Sequence, residues 1–356
     1  MTQKIKETIK IEDGSEVPAS FPVIISASRA TDVPAFFSDW FAQRLKAGYC
    51  AWVNPFNAHQ KMVVGFAKTR AIVFWSKNPK PLIPYLPLVE DMGIGYYFQF
   101  TLNDYRAEGL EPSVPRLEKR IETFHALSEQ LGPDRVVWRY DPLLIGPTLS
   151  VETLLERINT MADQLAGATR KLVVSFADIS AYRKVQTNLG DKGQGYRELT
   201  AEEMASIATG LRELKARTGL TIATCAEGLD LAAYGIEHNR CIDDDLLAQL
   251  YPKDAALMTY LGRAQNDLFA QPGQAKKDPG QRKECGCIVS KDIGAYNTCP
   301  HLCTYCYANA AKESVIANFR RHVPEGEMMI PRGSVTSTTA KDAEQRVVKL
   351  QRVPNR

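Results

Sequence analysis

At 356 residues the chain is long enough for one large α/β domain or two ordinary ones, and 44% hydrophobic with 24% charged residues is the balance of a soluble globular protein. There is no apolar run of about 18 residues to span a bilayer, and no apolar segment behind the charged start MTQKIKETIKIEDGSE to act as a signal peptide, so the expectation is a cytoplasmic protein without a membrane partner. The net charge of +3 sits at the end: residues 331–356 hold six Lys/Arg against two acids, and the other 330 residues sum to −1, which excludes a broadly basic body for nucleic acid and leaves only a local groove open.

In chain order, residues 1–18 are a polar extension, and PVIISAS (22–28) is the first β-branched apolar run. PAFFSDWFAQRLKAG (34–48) repeats apolar residues at helical spacing. YCAWVNP (49–55) follows, with KMVVGFA (61–67) as a hairpin partner, then AIVFWSK (71–77) and YYFQFTL (96–102). The amphipathic segment VPRLEKRIETFHALSEQLG (114–132) predicts a helix ended by glycine, before the run RVVWRYDP (135–142). SVETLLERINTMADQLAG (150–167) opens on Ser150 with Glu152 in its first turn, and KLVVSFAD (171–178) follows. TAEEMASIATGLRELKARTG (200–219) opens T-x-x-E, a capping box. LTIATCAE (220–227), KDIGAYNTC (291–299) and the helical ANAAKESVIANFRRH (308–322) complete the pattern, and residues 326–356 read as a flexible basic tail.

Short apolar runs alternating with amphipathic helices predict an α/β protein with a parallel sheet. With the hairpin partner set aside, eight candidate parallel strands remain. That number suits a (β/α) TIM-type or partial barrel over residues 19–325. Several strands end in polar residues: Ser28-Arg29, Ser76-Lys77-Asn78, Thr101, Asp141, Asp178 and Cys225. Barrels of this kind place their sites at the carboxyl ends of the strands.

Seven of the eight cysteines lie in the last 132 residues, which in a cytosolic chain argues for metal or redox chemistry. Cys50 stands alone and reads as a small buried hydrophobe. Cys299, Cys303 and Cys306 are spaced C-x3-C-x2-C in CPHLCTYCYAN. A c-type haem site is excluded, since Tyr307 follows Cys306 where histidine is needed. The bacterial ferredoxin run is absent. A zinc site needs a fourth ligand, from His301 or a remote cysteine. Otherwise His301 reads as a solvent-facing spacer. A three-cysteine 4Fe–4S cluster leaves one iron open, and open coordination is a mark of catalysis.

Cys299, Cys303, Tyr305 and Cys306 together resemble the hallmark of the radical S-adenosylmethionine superfamily, whose loop also follows a strand. WSKNPKPLIPYLPLV (75–89), with Lys77 in a lysine position, resembles a segment of enzymes related to spore photoproduct lyase. So does FQFTLNDYRAEGLEPSVPRLEKRIETFHALSEQLG (98–132), with its strand, Leu-Glu-Pro and helix, and so does WRYDPLLIG (138–146). Over about residues 20–325 the chain most resembles an uncharacterised bacterial family of unknown function. That family carries SASRRTD-like and RKECGC-like segments, here Ser26–Asp32, with Ala30 departing from the usual second arginine, and Arg282–Cys287.

The superfamily resemblance implies that an open iron chelates S-adenosylmethionine and that one electron, from a flavodoxin- or ferredoxin-like donor, releases a 5′-deoxyadenosyl radical. Lys77 and Thr101 are the implied cofactor contacts, and Tyr305 lies beside the adenine or the cluster. From its chemistry and position, Arg29 is a candidate for the cofactor carboxylate, or else a salt bridge to Asp32. The lyase resemblance keeps a nucleic-acid substrate open, and a non-catalytic iron–sulfur or zinc protein is the alternative from another class.

Superfamily members carry the cysteine loop early. Here it comes late, which implies a circularly permuted barrel whose cluster unit, 285–325, is delivered last. Cys225, Cys241, Cys285 and Cys287 remain. Four thiolates could close a zinc site or hold a second 4Fe–4S cluster. Glu227, two residues on from Cys225, reads as solvated, with catalysis as the alternative.

Overall fold

Runs dense in Val, Ile and aromatic residues need cover on both faces, and these find it by pairing side by side between two layers. The structure, a computed structural model, describes residues 7–54, 57–190, 195–263 and 275–331. Its strands are β1 (Thr8–Lys10), β2 (Glu16–Ser20), β3 (Ile24–Ala27), β4 (Tyr49–Asn54), β5 (Asn57–Gly65) and β6 (Ala71–Ser76), followed by β7 (Gly95–Thr101), β8 (Val136–Leu143), β9 (Lys171–Phe176), β10 (Thr221–Thr224), β11 (Glu237–His238) and β12 (Lys291–Asp292). Eight of them form one parallel sheet in the order β11-β10-β9-β8-β7-β6-β3-β12. From β12 inward the strands then follow chain order. The latest strand in sequence pairs with β3, Lys291 opposite Ile25 and Asp292 opposite Ser26.

Side-chain alternation splits the sheet into two faces. Ile25, Ile72, Phe74, Phe98, Trp138, Leu172 and Val174 pack toward the long helices, through residues such as Phe41, Phe124, Leu127, Ile158 and Ile207. Ile24, Val73, Tyr97, Val137 and Val173 face the other way, where Ile242, Leu247, Leu257, Leu261 and the cysteines 241, 285 and 287 cover them. The helix ends follow the sequence signals. Ser150 Oγ accepts from Thr153 N at 3.2 Å, and Thr200 and Glu203 form the reciprocal capping box.

Three expectations change. The sheet is open, with two-residue strands β11 and β12 at its edges, and no TIM-type closure is present. The segment 49–54 is not in this sheet. It pairs antiparallel with β5 in a separate four-stranded sheet ordered β1-β2-β5-β4, and Glu237–His238 supplies the eighth parallel strand instead. Tyr49–Asn54 joins β5 because only two residues separate the two strands in sequence, which suits an antiparallel pair, whereas a parallel partner needs a crossover. The run 291–299 is a strand only over Lys291–Asp292, because the Asp292 carboxylate gathers Ser26 Oγ from β3 and Ser28 Oγ and Arg29 N just beyond it, and the backbone leaves the ladder there.

The polar start is not free chain: β1 and β2 extend the small sheet. Of the segment 326–356, residues up to 331 pack on the body, with Trp40 Nε1 donating to Gly326 O at 2.9 Å and Met329 buried. The rest lies outside the described residues. Among the described residues no helix is long and apolar enough to cross a membrane.

Candidate functional site

Asn297 and Leu302 adopt left-handed backbone angles, φ 57° and 55°, so the chain leaving β12 turns sharply twice. These turns gather Cys299, Cys303 and Cys306 on one loop at the carboxyl end of the sheet. Asn309 Nδ2 donates to Cys299 O at 2.9 Å and Asn318 Nδ2 to Asn297 O at 3.0 Å, fastening the loop to itself and to the helix Lys312–Arg321. Burial pushes all three thiols up, and Cys299 and Cys303 each feel the neighbouring cysteines of the loop. The three Sγ atoms do not all lie within 4.8 Å of one another. Ala308 N donates to Cys306 Sγ at 3.4 Å.

Lys77, just beyond β6, stands against Cys303. Its ammonium donates to Glu111 Oε1 at 2.8 Å and to Tyr305 OH at 2.9 Å. Tyr305 OH donates to Glu111, and Asn103 Nδ2 reaches both at 3.1 Å. Burial works against the Glu111 carboxylate, but Lys77 and Arg120 outweigh it and hold the group down at about 2. Burial likewise opposes the Lys77 charge, and Glu111 and Cys303 reverse that, so the ammonium is raised. Lys77 and Tyr305, both expected at a cofactor, are thus brought together in one charged network beside the loop. Thr101 ends β7 in register with Arg139, half-buried.

His301 corrects an expectation. It is buried, not a solvent-facing spacer: Nε2 lies 2.9 Å from Asp32 Oδ2, Nδ1 lies 3.4 Å from Ser113 O, and the ring meets Phe36 edge-on at 4.6 Å. With both nitrogens engaged, it is not free to be a fourth zinc ligand. Asp32 also accepts from Ser76 Oγ, Lys77 N and Ala35 N, so it caps one helix and ties β6 to the cysteine loop. It makes no ion pair with Arg29, contrary to one expectation for that residue.

Arg29 belongs elsewhere. Its backbone N donates to Asp292 Oδ2 at 2.8 Å, its Nη2 to Ser290 Oγ at 3.3 Å, and its guanidinium lies over Trp75 at 5.8 Å. Burial works to lower its charge, and Cys287, Asp292 and Cys241 more than restore it. Asp292 also accepts from Ser26 Oγ, Ser28 Oγ and Gly294 N. Gly294 is required there, because a Cβ would fall 1.9 Å from Ser28 Oγ.

The other four cysteines meet at the same end of the sheet, on the face away from the long helices. Cys225 Sγ lies 3.2 Å from Cys241 Sγ, and Ile242 N donates to Cys287 Sγ at 3.4 Å. Arg139 Nη1 donates to Cys241 Sγ at 2.9 Å and Asn239 Nδ2 at 3.0 Å. The Cys287 thiol draws Cys285 down to about 7, whereas the Cys241 thiol and burial push Cys225 up. No three of these Sγ atoms lie mutually within 4.8 Å. Beside them Glu227 is buried rather than solvated, accepts from Phe176 N at 2.8 Å, and is lifted by burial to about 7. Cys50, alone and fully buried, is pushed up to about 12 by its apolar surroundings.

Glu111, Asn103, Asp32, Asp292 and Arg139 were not picked out as site residues in the sequence. Glu111 had a signal, since it is the acid of the Leu110-Glu111-Pro112 segment. Arg139 had none, since an arginine mid-strand reads as an ordinary alternating polar residue.

A family model described as "Domain of unknown function (DUF1848)" matches residues 24–308, which takes in both cysteine sets up to Ala308. No curated protein matches the chain.

Proposed function

The chain belongs to the DUF1848 family, whose description assigns no activity, and from the residues themselves we propose that it is a radical S-adenosylmethionine enzyme. One observation carries the reading: a C-x3-C-x2-C loop leaves the carboxyl end of an edge strand paired parallel to β3, and a buried Lys77–Glu111–Tyr305 network lies beside it. Cys299, Cys303 and Cys306 would hold a 4Fe–4S cluster with one iron open, and, once reduced by an external one-electron donor, it would supply the electron for reductive cleavage of S-adenosylmethionine.

The protein's part is to hold and to exclude. The loop turns at Asn297 and Leu302 preset three thiols without further ordering cost. Tyr305, fixed by Glu111 and Asn103, orients the last cysteine of the loop. Lys77 keeps a positive charge beside Cys303, which favours the thiolate there. Burial of Cys303 and Tyr305 keeps water from the reacting end. The sheet supports the reading in a second way. Counted from β12, the strands run in chain order, the arrangement of a partial (β/α) barrel whose first unit has been moved to the end by circular permutation. Chain ends that lie near each other make such a permutation physically reasonable.

The test is anaerobic reconstitution with iron and sulfide, then dithionite and S-adenosylmethionine, with 5′-deoxyadenosine as the readout. Product is expected from the unaltered chain and none from Cys303→Ala. A well-loaded cluster without product, or product from Cys303→Ala, overturns the reading.

A further inference from the structure

A buried thiol is a weak acceptor, and a buried guanidinium directed at one gains little. Cys241 Sγ nevertheless receives two side-chain donors, Arg139 Nη1 at 2.9 Å and Asn239 Nδ2 at 3.0 Å, and Cys287 Sγ receives Ile242 N at 3.4 Å. Four small hydrophobes would call for none of these. A thiolate would call for all of them.

The backbone around the four is fastened before any ligand arrives. Tyr97 OH and Gln99 Nε2 both donate to Cys241 O, at 2.6 and 2.9 Å. Cys225 N donates to Val174 O at 2.9 Å, continuing the ladder past β10. Asp278 N donates to Cys287 O at 2.9 Å, and Ile288 N to Ile242 O at 3.2 Å. Gly286, between the paired cysteines, lets Arg240 come close: a Cβ there would sit 2.7 Å from Arg240 Cγ. Three stretches distant in sequence thus bring Cys225, Cys241, Cys285 and Cys287 into one cluster.

From this placement we infer that Cys225, Cys241, Cys285 and Cys287 form a closed tetrahedral site for a single zinc ion, separate from the loop at 299–306. Spacing selects the ion over a cluster. With Zn–S near 2.3 Å, the edge of a ZnS4 tetrahedron is about 3.8 Å. The 3.2 Å between Cys225 and Cys241 is close to that edge. Thiolates on separate irons of a cubane would be held farther apart. Binding would draw Cys285 and Cys287 inward to complete the tetrahedron around the ion. Four thiolates and one dication leave two negative charges, and the Arg139 guanidinium, shared with Asp141, donates to Cys241 Sγ. Four protein ligands leave no open position, so the site is structural: it locks the 239–243 and 278–288 segments over the inner face of β7 to β10.

The test counts metal where the other loop cannot contribute. The triple variant Cys299→Ala/Cys303→Ala/Cys306→Ala is purified from cells supplied with zinc and iron and analysed for zinc, iron and acid-labile sulfide. One zinc per chain with no sulfide is expected, and the same zinc count is expected from the unaltered chain before any iron is added. Cobalt in place of zinc is expected to give the charge-transfer and ligand-field bands of a tetrahedral tetrathiolate. Adding Cys225→Ser and Cys285→Ser to the triple variant is expected to lower the zinc count at least tenfold. Iron with sulfide in the triple variant overturns the inference in favour of a second cluster. A zinc-free chain overturns it too, whether Cys225 and Cys241 are disulfide-linked or all four thiols are free by mass spectrometry. None of these readouts involves 5′-deoxyadenosine, so failure of the radical reading leaves them intact.

Discussion

The two cysteine sets sit at the same end of one sheet, yet they are built on opposite plans. The 299–306 set comes from a single turn of chain, and its thiols are spread. Its neighbours are a lysine, a glutamate, a tyrosine and an asparagine bonded to one another rather than to sulfur. The 225–287 set comes from three distant segments. Two of its thiols touch, and its neighbours, Arg139 and Asn239, donate straight to sulfur. On the proposed assignments, three ligands on one loop would approach from one side and leave a position for a partner from outside, whereas ligands from distant segments would close around an ion and join parts of the fold. The same side chain would then serve two purposes according to how much sequence separates its copies.

The largest expected effect tests the network of the first set. In Glu111→Gln the Lys77 and Arg120 charges lose their buried partner, which costs about 3–5 kcal/mol, measured by urea unfolding of the metal-free protein. The pH dependence has a definite sign. Glu111 is held at about 2 in the folded chain against an ordinary 4.5, so its contribution is complete above about pH 4.5 and is lost as pH falls toward 2. That contribution is about 3 kcal/mol, from the size of the shift. The variant should lack this acid-limb slope. An unchanged slope would mean that the network is not what distinguishes the first set.

Next in size is Arg139→Met, aimed at the second set. It removes the donor to Cys241 Sγ and the partner of Asp141, whose carboxylate burial would raise but which Arg139 and Ser175 hold low. Loss of an outer partner of a metal ligand lowers affinity about 10- to 100-fold. Competition with a chromophoric chelator should show that loss for zinc, while iron loading at 299–306 stays as in the unaltered chain. If both metals fall together, the two sets are one unit and the contrast between them fails.

How much of this could be read in the sequence follows the same divide between local and distant. The α/β class, the parallel strands and the capped helices rest on periodicity and end signals, which are local, and they came through at Ser150, Thr200 and Gly132. Tyr49–Asn54 was rightly given its hairpin partner but wrongly counted in the parallel sheet, because an apolar run does not say which sheet takes it. Glu237–His238 failed because two residues carry no period. Barrel closure failed because edge pairing is decided by strand ends, not strand number. At the site, C-x3-C-x2-C was legible in full. Four scattered cysteines could be grouped but not arranged, and the residues that donate to them, Arg139 from a strand and Asn239 from a loop, are marked by nothing in their neighbourhood. His301 was misread for a related reason: inside a polar loop, only the distant Asp32 shows that it points inward.

The smallest expected effect concerns that histidine, and it sharpens the contrast where the sequence left it open. If the first set were a zinc site completed by His301, it would be closed like the second, and the two plans would be one. His301→Asn removes the ring from Asp32 but leaves that carboxylate its donors Ser76 Oγ, Lys77 N and Ala35 N. The net loss of one such hydrogen bond is about 1 kcal/mol, seen as a small drop in the urea midpoint. Metal at 299–306 should be unaffected, since neither ring nitrogen is free to ligate. Iron bound per chain after reconstitution should equal that of the unaltered protein, with zinc unchanged. Loss of metal from this loop in His301→Asn, at an unchanged count in the 225–287 set, would make His301 a ligand and erase the distinction between an open site and a closed one.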